Sequence, residues 1–371
     1  MAEAAQAVTM FLCGDVMTGR GVDQILPHPC RPYLYEPVVR SALEYVALAE
    51  RAHAEISRPV DYAYVWGVAL DELERRKPAA RIINLETSIT TSERAAPKGI
   101  NYRMNPANVG VLSVAGVDCA VLANNHVLDW GAPGLIETLD TLATAGIRVA
   151  GAGRTQTEAE APAAIDLSEG GRILVFAFGA VDSGIPRGWS AGAAGPGVSW
   201  IADYSSHTVI RIGDLIAASK RAGDIAVASI HWGSNWGYEI PEEHRRFAYQ
   251  LIERAGVDLV YGHSSHHVKA IEVHRGRLIL YGCGDFLNDY EGIHGLKDFR
   301  DDLTMMYFPT IDTRSRQLTQ LEMVPLLIRS FRLQRPPAAD SRWLCDMLDR
   351  ECRRFGASVV KRDERVVLAW H

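Results

Sequence analysis

The sequence is short of most features that place a protein quickly. It lacks any stretch of the roughly 18 apolar residues needed to span a bilayer, which excludes a helical membrane span. Basic residues are not in excess: 39 Lys and Arg stand against 45 Asp and Glu, for a net charge of −6. A general nucleic-acid or anionic-membrane binder would show the opposite balance. The N-terminus, Met1-Ala2-Glu3-Ala4-Ala5-Gln6-Ala7, has neither a basic region nor a long apolar one, so no signal peptide is expected. Six cysteines (Cys13, Cys30, Cys119, Cys283, Cys345 and Cys352) are scattered without CxxC spacing. Without an export signal this reads as free thiols rather than a disulfide framework, and the expected compartment is the cytoplasm. Repeats and low-complexity tracts are also missing.

What is present is an ordinary globular composition, 47% hydrophobic over 371 residues, and one recurring pattern. Apolar, β-branched runs end at once in groups that bind metals or move protons. Residues 8–13 lead into Gly14-Asp15; 81–83 into Asn84-Leu85-Glu86; 118–123 into Asn124-Asn125-His126 and Asp129. Further on, 225–230 leads into His231-Trp232, 257–260 into Tyr261-Gly262-His263-Ser264-Ser265-His266-His267, and 278–281 into Gly282-Cys283-Gly284-Asp285. Between these strands the apolar spacing predicts helices over 36–55, 65–76, 131–145, 206–222 and 241–255. Hairpins are expected at 163–178 and 304–324, and a last helix at 341–355. The Gly-, Ala- and Pro-rich stretch 184–197 reads as a long binding loop. No composition shift marks a boundary, so 8–330 reads as one domain, with 331–371 a helical extension packed on it.

Six strand ends carrying carboxylates, amides and imidazoles suit a divalent ion of intermediate hardness, one or two of Mn, Zn, Fe, Co or Ni. Open α/β folds place their sites at such strand ends. Three imidazoles within five positions are the densest part of the set, and imidazole is the commonest ligand for such metals.

The order Gly14-Asp15, Asn84-Leu85-Glu86, Ala123-Asn124-Asn125-His126-x-x-Asp129-x-Gly131, Ser229-Ile230-His231-Trp232-Gly233 and Gly262-His263-x-x-His266 resembles the CapA family of capsule and poly-γ-glutamate synthesis, a branch of the calcineurin-like metallophosphoesterases. The resemblance runs from about Phe11 to Phe286. It implies a four-layer α/β/β/α sandwich with a metal centre at the strand ends. By position, Asp15 would hold a first metal and Glu86 would bridge. Asn125, His231 and His263 would hold a second, and His266 would return to the first, with His267 an alternative in register. His126 would be the acid/base histidine, oriented by Asp129, while Arg20 and Trp232 would line the site.

Three positions depart from the superfamily pattern. Met17 stands where Asp-x-His has its histidine, Glu86 replaces a bridging Asp, and Asp285 with Cys283 replaces a Gly-Asn-Phe strand end. Asp285 and His294 join His126 as candidates for proton transfer. The resemblance implies a substrate bearing peptide or carboxylate groups, handled by Cα proton transfer, as in a CapA-like peptide epimerase of lasso-peptide biosynthesis, or by amide hydrolysis. Phosphoester hydrolysis on a dinuclear centre and a non-catalytic assembly role are the alternatives.

Overall fold

Along the strand Arg172–Ala180 the side chains alternate between two cores, as a period of two dictates. Leu174, Phe176 and Phe178 join Val209, Ile212 and Ile216 of helix Ser206–Ser219 and Phe247 and Leu251 of helix Glu242–Arg254. Ile173, Val175 and Ala177 face the other way, into the apolar cluster that holds Met10, Leu12 and Ile82. A strand buried on both faces needs a layer on each side. Here one side is helical and the other is a second sheet.

The computed structural model describes residues 7–192, 195–293, 297–362 and 365–370. A ten-stranded sheet runs in the order Ala357–Arg362, Arg365–Trp370, Leu318–Arg329, Leu303–Asp312, Ala7–Val16, Ala80–Leu85, Cys119–Val121, Arg148–Ala150, with Asp285–Leu287 pairing beside Ala7–Val16 and Arg332–Gln334 beside Leu318–Arg329. A seven-stranded sheet follows the order Trp200–Ile201, Arg172–Ala180, Ile225–His231, Leu259–His263, Arg277–Leu280, Ile271–His274, with Ala163–Asp166 antiparallel to Arg172–Ala180. The first sheet carries helices Val68–Arg76 and Gly131–Thr144 on its outer side, through Ala69, Leu73, Leu135 and Leu142. The layers are thus helix, sheet, sheet, helix, as the motif order implies.

The predicted helices form, with shorter ends. The 36–55 pattern becomes Ala42–Ala52, started by Ser41, whose hydroxyl accepts from the Leu43 amide. The C-terminal segment departs from expectation. Helix Ala338–Arg353 is present, but Ala357–Arg362 and Arg365–Trp370 are strands, and the second of them pairs with Leu318–Arg329 at Glu322↔Val367. The segment 331–371 therefore widens the first sheet, and is helical only in part. Its strands mix Val359 and Val366 with Lys361, Arg362 and Arg365, a weak alternation suited to a sheet edge. Among the described residues no helix is long and apolar enough to cross a membrane.

The parallel strands stop together, which is what brings their polar ends to one place. Asp15 is in register with Asn84 on one side and Asp285 on the other, and His231 is in register with His263. The two sheets are tied near this edge by a buried hydrogen bond from the Tyr261 hydroxyl to the Cys13 carbonyl. Removing that donor strands a carbonyl in the core. Tyr261→Phe is expected to lower unfolding free energy by about 1–3 kcal/mol, read as a shift in the urea midpoint at unchanged slope.

Candidate metal centre

A local kink in the first strand places the central carboxylate. Its register slips between Leu12 and Asp15, and the Asp15 amide bonds the Gly284 carbonyl at 2.8 Å. A side chain at position 14 would put its Cβ 1.8 Å from that same carbonyl oxygen, so only glycine lets the two strand ends come this close. The turn after His263 is made by Ser264 at φ +99°, a backbone region that side chains seldom adopt. Its amide lies 3.3 Å from Asp15 Oδ2 and its hydroxyl bonds the Gly233 carbonyl.

Three carboxylates share this edge: Asp15, Glu86 and Asp285 are 0, 1 and 1% exposed. Burial and the neighbouring Asp285 push the Asp15 carboxyl well up, and burial together with Asp15 pushes Glu86 up further. Asn84 donates to Asp15 Oδ1 at 2.7 Å and is itself held by Asn124 at 3.0 Å, so the amides orient the cluster without neutralising it. A divalent cation would reverse both burial and repulsion, which is the usual reason such a cluster persists.

The donor set fits one. Asp15, His231 and His263 offer ligand atoms within 4.8 Å of one another, and so do Asp15, His266 and Asp285. The Nδ1 atoms of His231 and His263 face each other at 2.9 Å, while His263 Nε2 meets Ser229 Oγ at 2.6 Å and His231 Nε2 meets Asn125 Oδ1 at 3.2 Å. Burial holds both imidazoles in the neutral form that binds metal. Paired lone pairs beside a carboxylate, each ring braced by a polar group behind, are the donor chemistry of a metal site. Asp15 is common to both groups, and Glu86 stands at the same edge, with Oε2 3.4 Å from the Asn84 amide and Oε1 3.7 Å from His126 Nε2.

His266 and His267 part company. His266 Nδ1 bonds Asp285 Oδ1 at 2.8 Å; burial opposes its charge but the Asp285 carboxylate prevails and raises it. The other Asp285 oxygen accepts from Asn288 at 2.8 Å. His267 turns away into an aromatic nest of Trp236, Tyr238 and Phe299, with its Nε2 accepting from the Gly237 amide. Met17 is buried and meets the Tyr290 hydroxyl through sulfur at 3.5 Å.

On the other flank, His126 Nδ1 donates to Asp129 Oδ2 at 2.6 Å, and its Nε2 lies 3.7 Å from Glu86 Oε1. Burial, then Lys98 and Arg20, keep this imidazole neutral. Asp129 also accepts from the Tyr102 amide at 2.6 Å and from Lys98 Nζ at 2.8 Å. Burial pushes it up to about 7 against the pull of Lys98, yet three donors on two oxygens suit the carboxylate. Lys98 and Tyr102 carry no strand-end signal in the sequence, since they sit in a polar loop between strands.

Two expected lining residues do not line the centre. Arg20, 3% exposed, is fixed by Asp289, by Glu36 at 2.9 Å and by Tyr45 at 3.0 Å, a closed ion-pair network. Trp232 donates to the Tyr281 carbonyl and stacks on His244 in the helix-side core, pointing away from the metal ligands. A motif fixes residue type but not which face of the sheet a side chain takes. His294 lies outside the described residues. Cys283 is fully buried, and burial pushes its thiol up, so it is packing.

Comparison with known proteins agrees with the motif order. Over 99% of this chain and 97% of their own length, "Probable polyglutamine synthesis accessory protein" sequences from two strains of Mycobacterium tuberculosis are 45% identical to it. The "PGA biosynthesis protein CapA" of Bacillus subtilis is 28% identical over 60% of this chain and 56% of its own. A solved structure of a Mycoplasma pneumoniae phosphatase aligns over 90% of this chain and 96% of that one, at 10% identity and TM-score 0.48. The sequence profile of the bacterial capsule synthesis protein PGA_cap matches residues 9–290, the stretch that holds every strand end described above, and the chain belongs to that family.

Proposed function

We propose that this protein is a divalent-metal-dependent enzyme that moves a Cα proton on a peptide-type substrate bearing carboxylate groups. The observation that carries this reading is the presence of two His–Asp pairs on one carboxylate cluster. His126–Asp129 at 2.6 Å reaches it through Glu86, and His266–Asp285 at 2.8 Å reaches it through Asp15. Inverting a stereocentre needs one group to take a proton and a second to return it from the other face. A hydrolase needs only one such pair.

Asp15, His231, His263 and Asp285 would hold the ion, which would supply Lewis-acid polarisation of a substrate carbonyl and so acidify the adjacent C–H. His126, neutral and with Nε2 open, accepts a proton at that atom while Asp129 steadies the charge that forms on the ring. His266, tied to Asp285, stands on the opposite flank to deliver one. The names of the relatives speak of glutamine- or glutamate-based polymers. Such polymers carry amide carbonyls, free carboxylates and Cα protons, the features the centre is suited to.

Amide hydrolysis is the second reading, supported by the same metal set with His126 as acid to the leaving nitrogen. Phosphoester hydrolysis is less well served. The cations nearest the centre are already engaged, Arg20 with Asp289 and Glu36, Lys98 with Asp129, leaving neither free to clamp a phosphate.

Incubating the full chain with glutamate-containing peptides in deuterated water separates these readings. Deuterium at Cα without cleavage is the expected result; cleavage without exchange supports hydrolysis, and turnover of phosphodiesters alone would sink the peptide reading. His126→Ala is expected to lower exchange by about 10²–10⁴-fold. Elemental analysis of protein purified without chelator should find one or two divalent ions per chain. His231→Ala with His263→Ala should remove at least one, and dialysis against a chelator should abolish turnover until metal is restored.

A further inference from the structure

Lys98 is unusual among the groups around His126. It lies in a loop that none of the strand-end motifs includes, its side chain is 26% exposed, and it touches the centre only from behind. Its Nζ donates to Asp129 Oδ1 at 2.8 Å and to the Asn125 carbonyl, and stands 3.3 Å from His126 Nδ1. The ring of Trp189, from the long loop, covers it at 5.4 Å. Because His126 Nδ1 already donates to Asp129 Oδ2, that nitrogen offers Lys98 no lone pair. The ammonium is therefore anchored on Asp129 and on the backbone that carries Asn125 and His126.

These contacts do a specific job. A carboxylate beside a histidine can turn about its last bond and present either oxygen, and a neutral imidazole can carry its proton on either nitrogen. With Oδ1 pinned by Lys98, the carboxylate cannot turn, and the Oδ2 that receives the Tyr102 amide keeps its second lone pair on Nδ1. We infer that Lys98 is the positioning residue of His126: by holding Asp129 Oδ1 and the Asn125 carbonyl together, it fixes the imidazole with its proton on Nδ1 and Nε2 open toward Glu86. Lys98 does not meet the substrate. It acts through Asp129, and an arginine, which can make the same two bonds, serves in its place.

The inference deepens the reading of His126 as the proton-transfer group, and its test needs neither substrate nor metal. The full chain, with ¹⁵N-labelled histidines and without metal, is examined by long-range ¹H–¹⁵N correlation, the His126 signals being identified by their loss in His126→Ala. The wild type should show one tautomer with hydrogen on Nδ1. Lys98→Met should show mixed or averaged tautomers at His126, with the other histidines unmoved, and Lys98→Arg should restore the single form. Lys98→Gln takes the place of the methionine variant if that one aggregates. A His126 pattern unchanged in Lys98→Met or Lys98→Gln overturns the inference, as does a failure of arginine to restore it. In the deuterium-exchange assay, Lys98→Met should lower kcat about tenfold with KM within about twofold; a raised KM with kcat intact would make Lys98 a substrate contact and overturn its positioning role. If His126→Ala leaves turnover intact while Lys98→Met still mixes the tautomers, the functional reading fails and this one stands.

Discussion

The rest of the centre answers to the repulsion among Asp15, Glu86 and Asp285. Three carboxylates that share a solvent-free strand edge are costly unless positive charge is brought to them, because burial penalises each anion and each raises the others. Every neighbour is arranged around that cost. Amides from Asn84 and Asn288 fix the carboxylate oxygens in place, with Asn124 holding Asn84; neutral imidazoles of His231 and His263 turn their lone pairs inward, and among the described residues no lysine or arginine makes an ion pair with Asp15, Glu86 or Asp285. That arrangement suits a divalent cation better than a salt-bridge network.

Around this cluster the charged side chains divide into two classes. Arg20 with Asp289 and Glu36 forms a sealed network that holds the loop after the first strand against the one after Asp285, with cation–π contacts to Tyr45 and Tyr102 at 3.9 and 4.6 Å. Such a network fixes geometry and reacts with nothing. The His–Asp pairs differ in that each leaves one imidazole nitrogen unclaimed by its carboxylate.

Much of this was legible in the sequence because the strand ends repeat one grammar. An apolar run followed at once by Asp15, Asn84 or His231 is informative, since a buried strand tolerates such residues only where it stops. The rest was not legible for identifiable reasons. A one-residue slip at Gly14 carries Asp15 inward to join both ligand groups, and register slips leave little trace in composition. Trp232 sits in the right motif but packs into the helix-side core, and Arg20 is tied up by Asp289 and Glu36. Ser264 turns the chain after His263 with a positive φ that its residue type does not announce. The last two strands were missed because they are short and half polar: Ala357–Arg362 is the sheet edge, and Arg365–Trp370 lies between it and Leu318–Arg329.

The close approach of Gly14 to Gly284 has a consequence for how the protein is made. Asp15 reaches the outside of a ribosome early in synthesis, whereas Asp285 and the strand Asp285–Leu287 that pairs beside it emerge some three-quarters of the way through the chain. Until then the strand Ala7–Val16 has an open flank and its carboxylate lacks the Asp285 partner, so the candidate ligand set is incomplete for most of translation. Contacts of such long sequence separation form late in folding. A cation held between Asp15 and Asp285 would therefore find its full set of ligands only once the chain has nearly closed on itself.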